Sequence, residues 1–397
     1  MKRFVSIIII IAVLLCCTAC GSNSVPPTEL TAPPDTIPAT TPIYTPDPVY
    51  ENIYSVSLPI TIETSEAPDG REIFTYSYQS MHLINPDRDV ADKILNDFDR
   101  RVKETRTEAH NLHDLAVLAE ELPFPYSYQV QYNPTRIDQG VLSLVGQVVQ
   151  VDNIMHGQYK GISANYDMMT GDVLTLGSIL YHADAKQALT ALVIEELENM
   201  NISQLYDDFR DSVSMRFKRD ESNDESFYFS TTGLCFYFSP YEIAPYSVGN
   251  IAVEIPYYKL TGVIGDAFFP AEQTNANGNI NVSAFHTAQL DSYDQFPEII
   301  ADPNGEQILL TTDSHVQDIR IHRLQYIDKT SGISQTDTIF AANVLYANDA
   351  ILLEAAFGSD TASYSISYQQ NGNIIHKFLI KDTDSGNIIL SDTYWTD

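Results

Sequence analysis

The sequence predicts an α+β fold, a mostly antiparallel sheet with packed helices, followed by a C-terminal all-β, sandwich-like domain. Three observations predict it. Strand-like and helix-like patterns come in groups, without the regular alternation of βαβ units. Phe227–Leu260, FYFSTTGLCFYFSPYEIAPYSVGNIAVEIPYYKL, concentrates Phe and Tyr more than any other stretch and reads as strand, turn, strand, Pro-punctuated loop and strand. Beyond about residue 280, short alternating runs recur between turn signals and no helical period appears. A chain of 397 residues also exceeds one ordinary core and suggests two or three domains.

The N-terminus opens with Lys2 and Arg3, an apolar run from Phe4 to Leu15, and then Cys16-Cys17-Thr18-Ala19-Cys20-Gly21. A basic start, a short apolar core and small residues before a cleavage point make a secretory signal. The run is short for a membrane-spanning helix. Thr18-Ala19-Cys20-Gly21 resembles a bacterial lipobox. That implies a lipoprotein signal peptide over residues 1–19 and acylation of Cys20 as the first mature residue. Cys17 stands where the motif usually has Leu, which leaves a retained membrane anchor as the alternative. Either way the remaining chain is expected on the extracytoplasmic side of the cell membrane, and several acyl chains suffice to hold it there. Residues 20–50 form a Pro/Thr-rich linker without Lys or Arg. Such a segment is a semi-rigid spacer, reaching roughly 90 Å when extended.

The folded body begins near residue 51. Ile53–Ile62 alternates apolar and polar, Ala67-Pro68-Asp69-Gly70 is a turn signal, and Glu72–Tyr78 resumes the alternation, which predicts a hairpin. Asp87–Leu122 reads as a long helix with Val90, Ile94, Phe98 and Val102 on one face, and its more polar second half, through His110 and His113, is a place for a break. Two strands follow between Tyr126 and Val151, and a third over Ile162–Met168. Asp184 is the expected cap of a helix running to about Met200, with Leu189, Leu192, Val193 and Leu197 buried. Ser203–Phe217 predicts a second helix. Residues 270–280 read as a linker. After it, strands are predicted at Gln307–Thr312, Ile319–Ile327, Thr338–Tyr346, Ile351–Ala356, Tyr364–Tyr368, Ile374–Lys381 and Ile388–Thr393. Turn signals at Asp302-Pro303-Asn304-Gly305, Asn371-Gly372 and Asp384-Ser385-Gly386 separate them.

Charge narrows the partners. With 22 Lys and Arg against 53 Asp and Glu, the formal net charge is −31. Such a surface repels nucleic acid phosphates, which excludes nucleic acid, and it attracts cationic partners. Of four cysteines only Cys235 lies in the folded body, so no intramolecular disulfide is available there. Between Leu234 and Phe236, Cys235 reads as a small buried hydrophobe.

Two stretches carry a family resemblance. Ile162–Leu180, with Asn165-Tyr166-Asp167, Thr170-Gly171 and Leu174-Thr175-Leu176, resembles the RsiV-like extracytoplasmic domain. So does Phe227–Leu260, through Thr232-Gly233-Leu234, Gly249 and the run Pro240-Tyr241-Glu242-Ile243-Ala244-Pro245-Tyr246. Residues 51–155 look like the companion half, also found ahead of the catalytic domain in PdaC-type peptidoglycan deacetylases. The implied layout is a PdaC-like half over 51–155, an RsiV-like half over 156–269, the 270–280 linker and a β domain over 281–397. The family includes anti-sigma factors whose outer domain senses lysozyme, and many lipoproteins. This sequence departs from it in lacking a cytoplasmic segment before the signal, which leaves nothing to hold a sigma factor. It also has Asn153-Ile154-Met155-His156-Gly157 where a Gly-Gly-Ala-His run is common.

Candidate site residues are few. His156 is the best single histidine, with Asp152 and Asp167 near it in sequence, although a hydrogen-bonded strand-end histidine is the commoner role. Tyr237, Tyr241, Tyr246, Tyr257 and Tyr258 offer apolar faces and polar tips suited to a groove, against the plainer role of sheet packing. His110-x-x-His113 puts two imidazoles on one helix face, but the spacing announces no further zinc ligand and a solvated face is expected. Asp382-x-Asp384-x-Gly386 lacks the terminal Glu of a calcium loop and reads as a hairpin turn. No nucleophile elbow, phosphate loop or zinc-protease motif appears, and no cofactor is implied. The expected role is non-enzymatic binding or sensing in the envelope, toward a cationic lytic enzyme such as lysozyme or toward peptidoglycan. A wall-glycan hydrolase with unlocated carboxylates is the alternative.

Overall fold

In the computed structural model, the alternating run at 53–62 is two strands in two different sheets, and Pro59 separates them. The structure describes residues 54–84, 87–119, 122–152, 157–182, 184–218, 227–270, 276–286, 292–328, 332–359 and 361–394. Strand β1 (Ser55–Ser57) pairs on one side with a strand near residue 340. Proline has no N–H for a ladder, and beyond it β2 (Ile60–Glu66) turns away to pair with β3 (Glu72–Gln79) as the expected hairpin. β4 (His82–Ile84) then returns to pair with β1.

Helix α1 (Arg88–Leu118) runs without a break. Its buried stripe, Ile94 and Phe98, continues through Ala109, Leu112 and Ala116, so the polar second half still has a core face. α1 packs on β5 (Tyr126–Ile137), β6 (Val141–Val151) and β7 (Gln158–Asp167), whose Tyr128, Tyr132, Leu144, Ala164 and Tyr166 share its core. These complete a five-stranded sheet in the order β2-β3-β5-β6-β7, antiparallel except where β3 and β5 run parallel across α1. The β5–β6 turn is held by Asp138, whose carboxylate accepts from the N–H groups of Gly140 and Val141 at 2.8 and 2.9 Å.

A second core follows. Thr175 and Ser178 cap the short α2 (Leu176–Ile179) reciprocally, side chain to backbone at 3.1 and 2.9 Å. α3 (Ala185–Asn199) buries Leu189, Val193 and Leu197 as expected, with Leu192 half-buried. Asp184 precedes it but makes no side-chain capping bond, because its own backbone is already helical. α4 (Phe209–Lys218) starts later than Ser203, since Asn201 in a left-handed conformation ends α3 and turns occupy the intervening residues. Both helices cover the antiparallel sheet β10-β9-β8, formed by β8 (Phe227–Phe229), β9 (Gly233–Phe238) and β10 (Ile251–Pro256). Cys235 is buried there.

The C-terminal part is all β. All seven expected strands form: β13 (Glu306–Thr312), β14 (Val316–Asp328), β15 (Gly332–Leu345), β16 (Ala350–Ala355), β17 (Tyr364–Gln370), β18 (Asn373–Lys381) and β19 (Ile388–Ser391). Two more, β11 (Ile280–Ala284) and β12 (Glu298–Ile300), are additions to the expected set. They make a four-stranded sheet β11-β13-β16-β12 facing a seven-stranded sheet β19-β18-β17-β14-β15-β1-β4. Ile308, Leu310, Ile351 and Leu353 of one meet Ile319, Ile321, Phe340 and Ile366 of the other, a sandwich core. The fold is thus α+β and mostly antiparallel.

The seven-stranded sheet also joins the first and last parts of the described residues. β1 and β4 come from before α1, yet complete the sheet of the last third. On its other face Arg320 donates to the carbonyls of Pro134 and Thr135, and Asn133 accepts from the backbone of Thr338 at 2.9 Å. Residues 52–397 form one contiguous unit. The described end of the 270–280 stretch is packed into it, with Ala276 buried and Gly278 bonded to the carbonyl of His315.

Candidate functional site: a tyrosine surface

The loop between β9 and β10 is built to hold two tyrosines in solvent. Ile243 and Ala244 plug the second core. The N–H of Tyr241 donates to the carbonyl of Ala244, and Glu242 binds Arg216 of α4 at 2.7 Å while accepting from the N–H of Ser239. Arg216 itself is sequestered under the loop, its guanidinium 4.4 Å from the ring centre of Phe238, and burial depresses its basicity against the pull of Glu242. Fixed at both ends, the loop sets Tyr241 at φ 70° with 68% of its surface exposed. Its ring lies 5.8 Å from that of Tyr246, 40% exposed.

The neighbouring strand β7 extends this surface. Tyr159 is half-buried, and burial together with the nearby Tyr246 hydroxyl pushes its own hydroxyl above the usual tyrosine range. Tyr159 and Gly161 share one face of β7. A Cβ on Gly161 would stand 2.0 Å from Cε1 of Tyr237, so the bare glycine is what lets the Tyr237 ring lie flat against the strand. Burial raises the Tyr237 hydroxyl strongly.

Of the five tyrosines expected at a groove, Tyr241 and Tyr246 are paired and exposed, and Tyr237, on β9, is half-buried against β7. Tyr257 is structural: its hydroxyl accepts from Arg136 at 2.7 Å and donates to the carbonyl of Ser230 at 2.9 Å. Tyr258 is 77% exposed, on the turn after β10. Tyr159 is the member that sequence reading missed; its one signal was the Tyr-x-Gly spacing on β7. His156 and Cys20 lie outside the described residues.

Elsewhere the chemistry is sparse. A cavity of about 570 Å³ lies in the seam between β11, β13 and β19. Glu306 is the one carboxylate in its lining, and it is ion-paired with Lys381 at 2.5 Å. Asp382 accepts from the backbone and hydroxyl of Ser385, which makes 382–387 the expected hairpin turn. His322 is half-buried, its ring nitrogens within hydrogen-bond distance of the Thr338 and Ser367 hydroxyls, and desolvation there keeps it neutral. Among the described residues no helix is long and apolar enough to cross a membrane.

Comparison with known proteins finds likeness to one family. A crystal structure of a DUF3298 family member from Bacteroides fragilis is 18% identical, covering 53% of this chain and 94% of that one with a TM-score of 0.39. One from Pseudomonas aeruginosa is 17% identical, covering 55% and 97% with a TM-score of 0.40. No curated protein matches the chain. The family described as "Protein of unknown function (DUF3298)" matches residues 173–258, which span α2 to β10 and include Tyr237, Tyr241 and Tyr246, so the likeness covers the segment that carries the tyrosine surface.

Proposed function

We propose that this protein is a lipid-anchored component of the bacterial cell envelope that binds a partner without transforming it, and that the Tyr241–Tyr246 surface is where it binds. The observation that carries the reading is Tyr241 itself. A bulky residue in the left-handed region costs on the order of 1–3 kcal/mol and persists only where its surroundings enforce it. Here the surroundings enforce an exposed aromatic ring beside a second one. Paired exposed tyrosines suit a protein contact, since each brings apolar area, a polar tip and little entropy to lose.

The RsiV-like resemblance of this same loop supports a lytic enzyme such as lysozyme as the partner class. The net charge of −31 supports a cationic one, attracted from a distance and released by salt. The lipobox-like Thr18-Ala19-Cys20-Gly21 supports the anchor.

The test is capture of lysozyme and, separately, of peptidoglycan by the purified full chain at low and high salt. Lysozyme retained at low salt, and lost with Tyr241→Ser, bears the reading out. Truncating a central aromatic contact costs about 2 kcal/mol or more, roughly thirtyfold in affinity. No lysozyme retention even at low salt removes the cationic partner, and peptidoglycan retention would redirect it to the wall. Release of sugar from wall material, abolished by one carboxylate substitution, would overturn the non-enzymatic reading. Palmitate labelling that survives Cys20→Ala would overturn the anchor.

A further inference from the structure

We propose that His110, His113 and Asp114 on α1 form a surface site for a divalent transition-metal ion, zinc foremost. The spacing of the histidines shows two donors on one face. The structure adds the third from the residue one turn beyond His110. The Nε2 of His110 stands 3.7 Å from Oδ2 of Asp114, and the Nδ1 of His113 stands 3.4 Å from Oδ1 of the same carboxylate. All three donor atoms lie within 4.8 Å of one another.

These separations are those of a coordination shell. Zinc bonds imidazole nitrogen and carboxylate oxygen at ~2.0–2.2 Å, so the edges of its tetrahedron are roughly 3.4 Å long by the same geometry. The His113–Asp114 edge is already at that length, His110 faces the other oxygen of the carboxylate at 3.7 Å, and rotation of the exposed His110 and Asp114 side chains brings the three donors onto one ion. The rings are preset for it. Those of His110 and His113 lie 6.0 Å apart and nearly parallel, at 13°. The His113 ring packs edge-on against Phe74 of β3 at 5.4 Å, which limits its rotation.

Two imidazoles and one carboxylate are donors suited to zinc, copper or nickel and poorly matched to calcium or magnesium, which take oxygen ligands. Three protein ligands leave the fourth position open to water or to a donor from another molecule. His110 and Asp114 are exposed, so the ion is exchangeable.

Calorimetric titration of the full chain with zinc tests the site, alongside thermal melting with and without the metal. One equivalent is expected to bind and to raise the melting temperature, because an ion bound only by the folded state stabilises it. His110→Ala and Asp114→Asn should each weaken binding at least about tenfold and abolish the thermal shift. Both side chains are exposed, so neither variant threatens folding, and circular dichroism checks that. His182→Ala, at another exposed histidine, should bind as the parent does. The absence of zinc binding, equal affinity in His110→Ala, or displacement by equimolar calcium would each overturn the site.

Discussion

Replacing Arg136 with methionine removes a buried charge from the junction between β5 and the β8–β10 sheet. Its side chain is only 2% exposed. Nε donates to Asp138 at 2.6 Å, and Nη1 donates to both the Tyr257 hydroxyl and the carbonyl of Phe268, at 2.7 and 2.6 Å. The guanidinium also lies 5.5 Å from the ring centre of Tyr257 and 5.7 Å from that of Phe229. Methionine fills most of the volume, so the loss is chiefly polar. Breaking a buried ion pair from one side costs about 3–5 kcal/mol. The lower end applies, because Asp138 keeps two backbone donors and Tyr257 keeps Ser230. The Phe268 carbonyl loses the partner it has here. Urea unfolding at neutral pH should therefore show a fall of about 3 kcal/mol with an unchanged m-value. Combined with Tyr257→Phe in a double-mutant cycle, the two should couple by ~0.5–3 kcal/mol. A loss below about 1 kcal/mol would mean that the cluster behaves as a surface pair, and the argument would fail.

Three further outcomes follow from the same contacts. Gly161→Ala forces the Tyr237 ring off β7, which should cost about 1–3 kcal/mol in urea unfolding and weaken partner capture; wild-type behaviour in both would refute the packing. Tyr241→Gly should leave stability equal or higher by up to ~1 kcal/mol, by relieving the left-handed tyrosine, while abolishing capture; a clear loss of stability would show that the ring supports the loop. His322 is pushed down to about 3 by burial, with the Arg320 and His376 charges adding to it. Unfolded, it takes up its proton near pH ~6.5. The native state is thus fully favoured above that pH and loses up to about 1.4 kcal/mol per pH unit as the pH falls toward 3. His322→Gln should flatten the melting temperature across that window relative to the parent, and an unchanged slope would refute the assignment.

The parts of the fold that sequence reading recovered are those governed by near neighbours. Asn371 and Gly372 both adopt positive φ, the conformation that their adjacency signals for a tight hairpin, and β17 and β18 flank them as expected. α1 was legible from its stripe. What escaped was pairing at a distance. Nothing near Ser55 marks Ala342 as its partner, and nothing near Arg136 marks Tyr257. Within the site, the Pro240–Tyr246 loop was legible because Pro, Tyr and a buried Ile-Ala pair sit in one run. Tyr159 was not, since its place beside Tyr246 depends on how β7 and β9 approach. The third donor beside His110 and His113 was in plain sequence range, but carboxylates are too numerous in this chain for one more to stand out.

The seating of β1 between β15 and β4 has a consequence for biogenesis. A chain emerging amino end first exposes β1 and Leu58 long before their hydrogen-bonding partners around Phe340 exist. Until then the early segment presents naked strand edges, the kind that recruit other chains. Contacts this remote in sequence also form slowly. A nascent chain truncated anywhere before residue 340 would therefore be prone to aggregate instead of yielding a stable amino-terminal half. Quality control acting on this protein would then distinguish complete chains from incomplete ones by a single sheet.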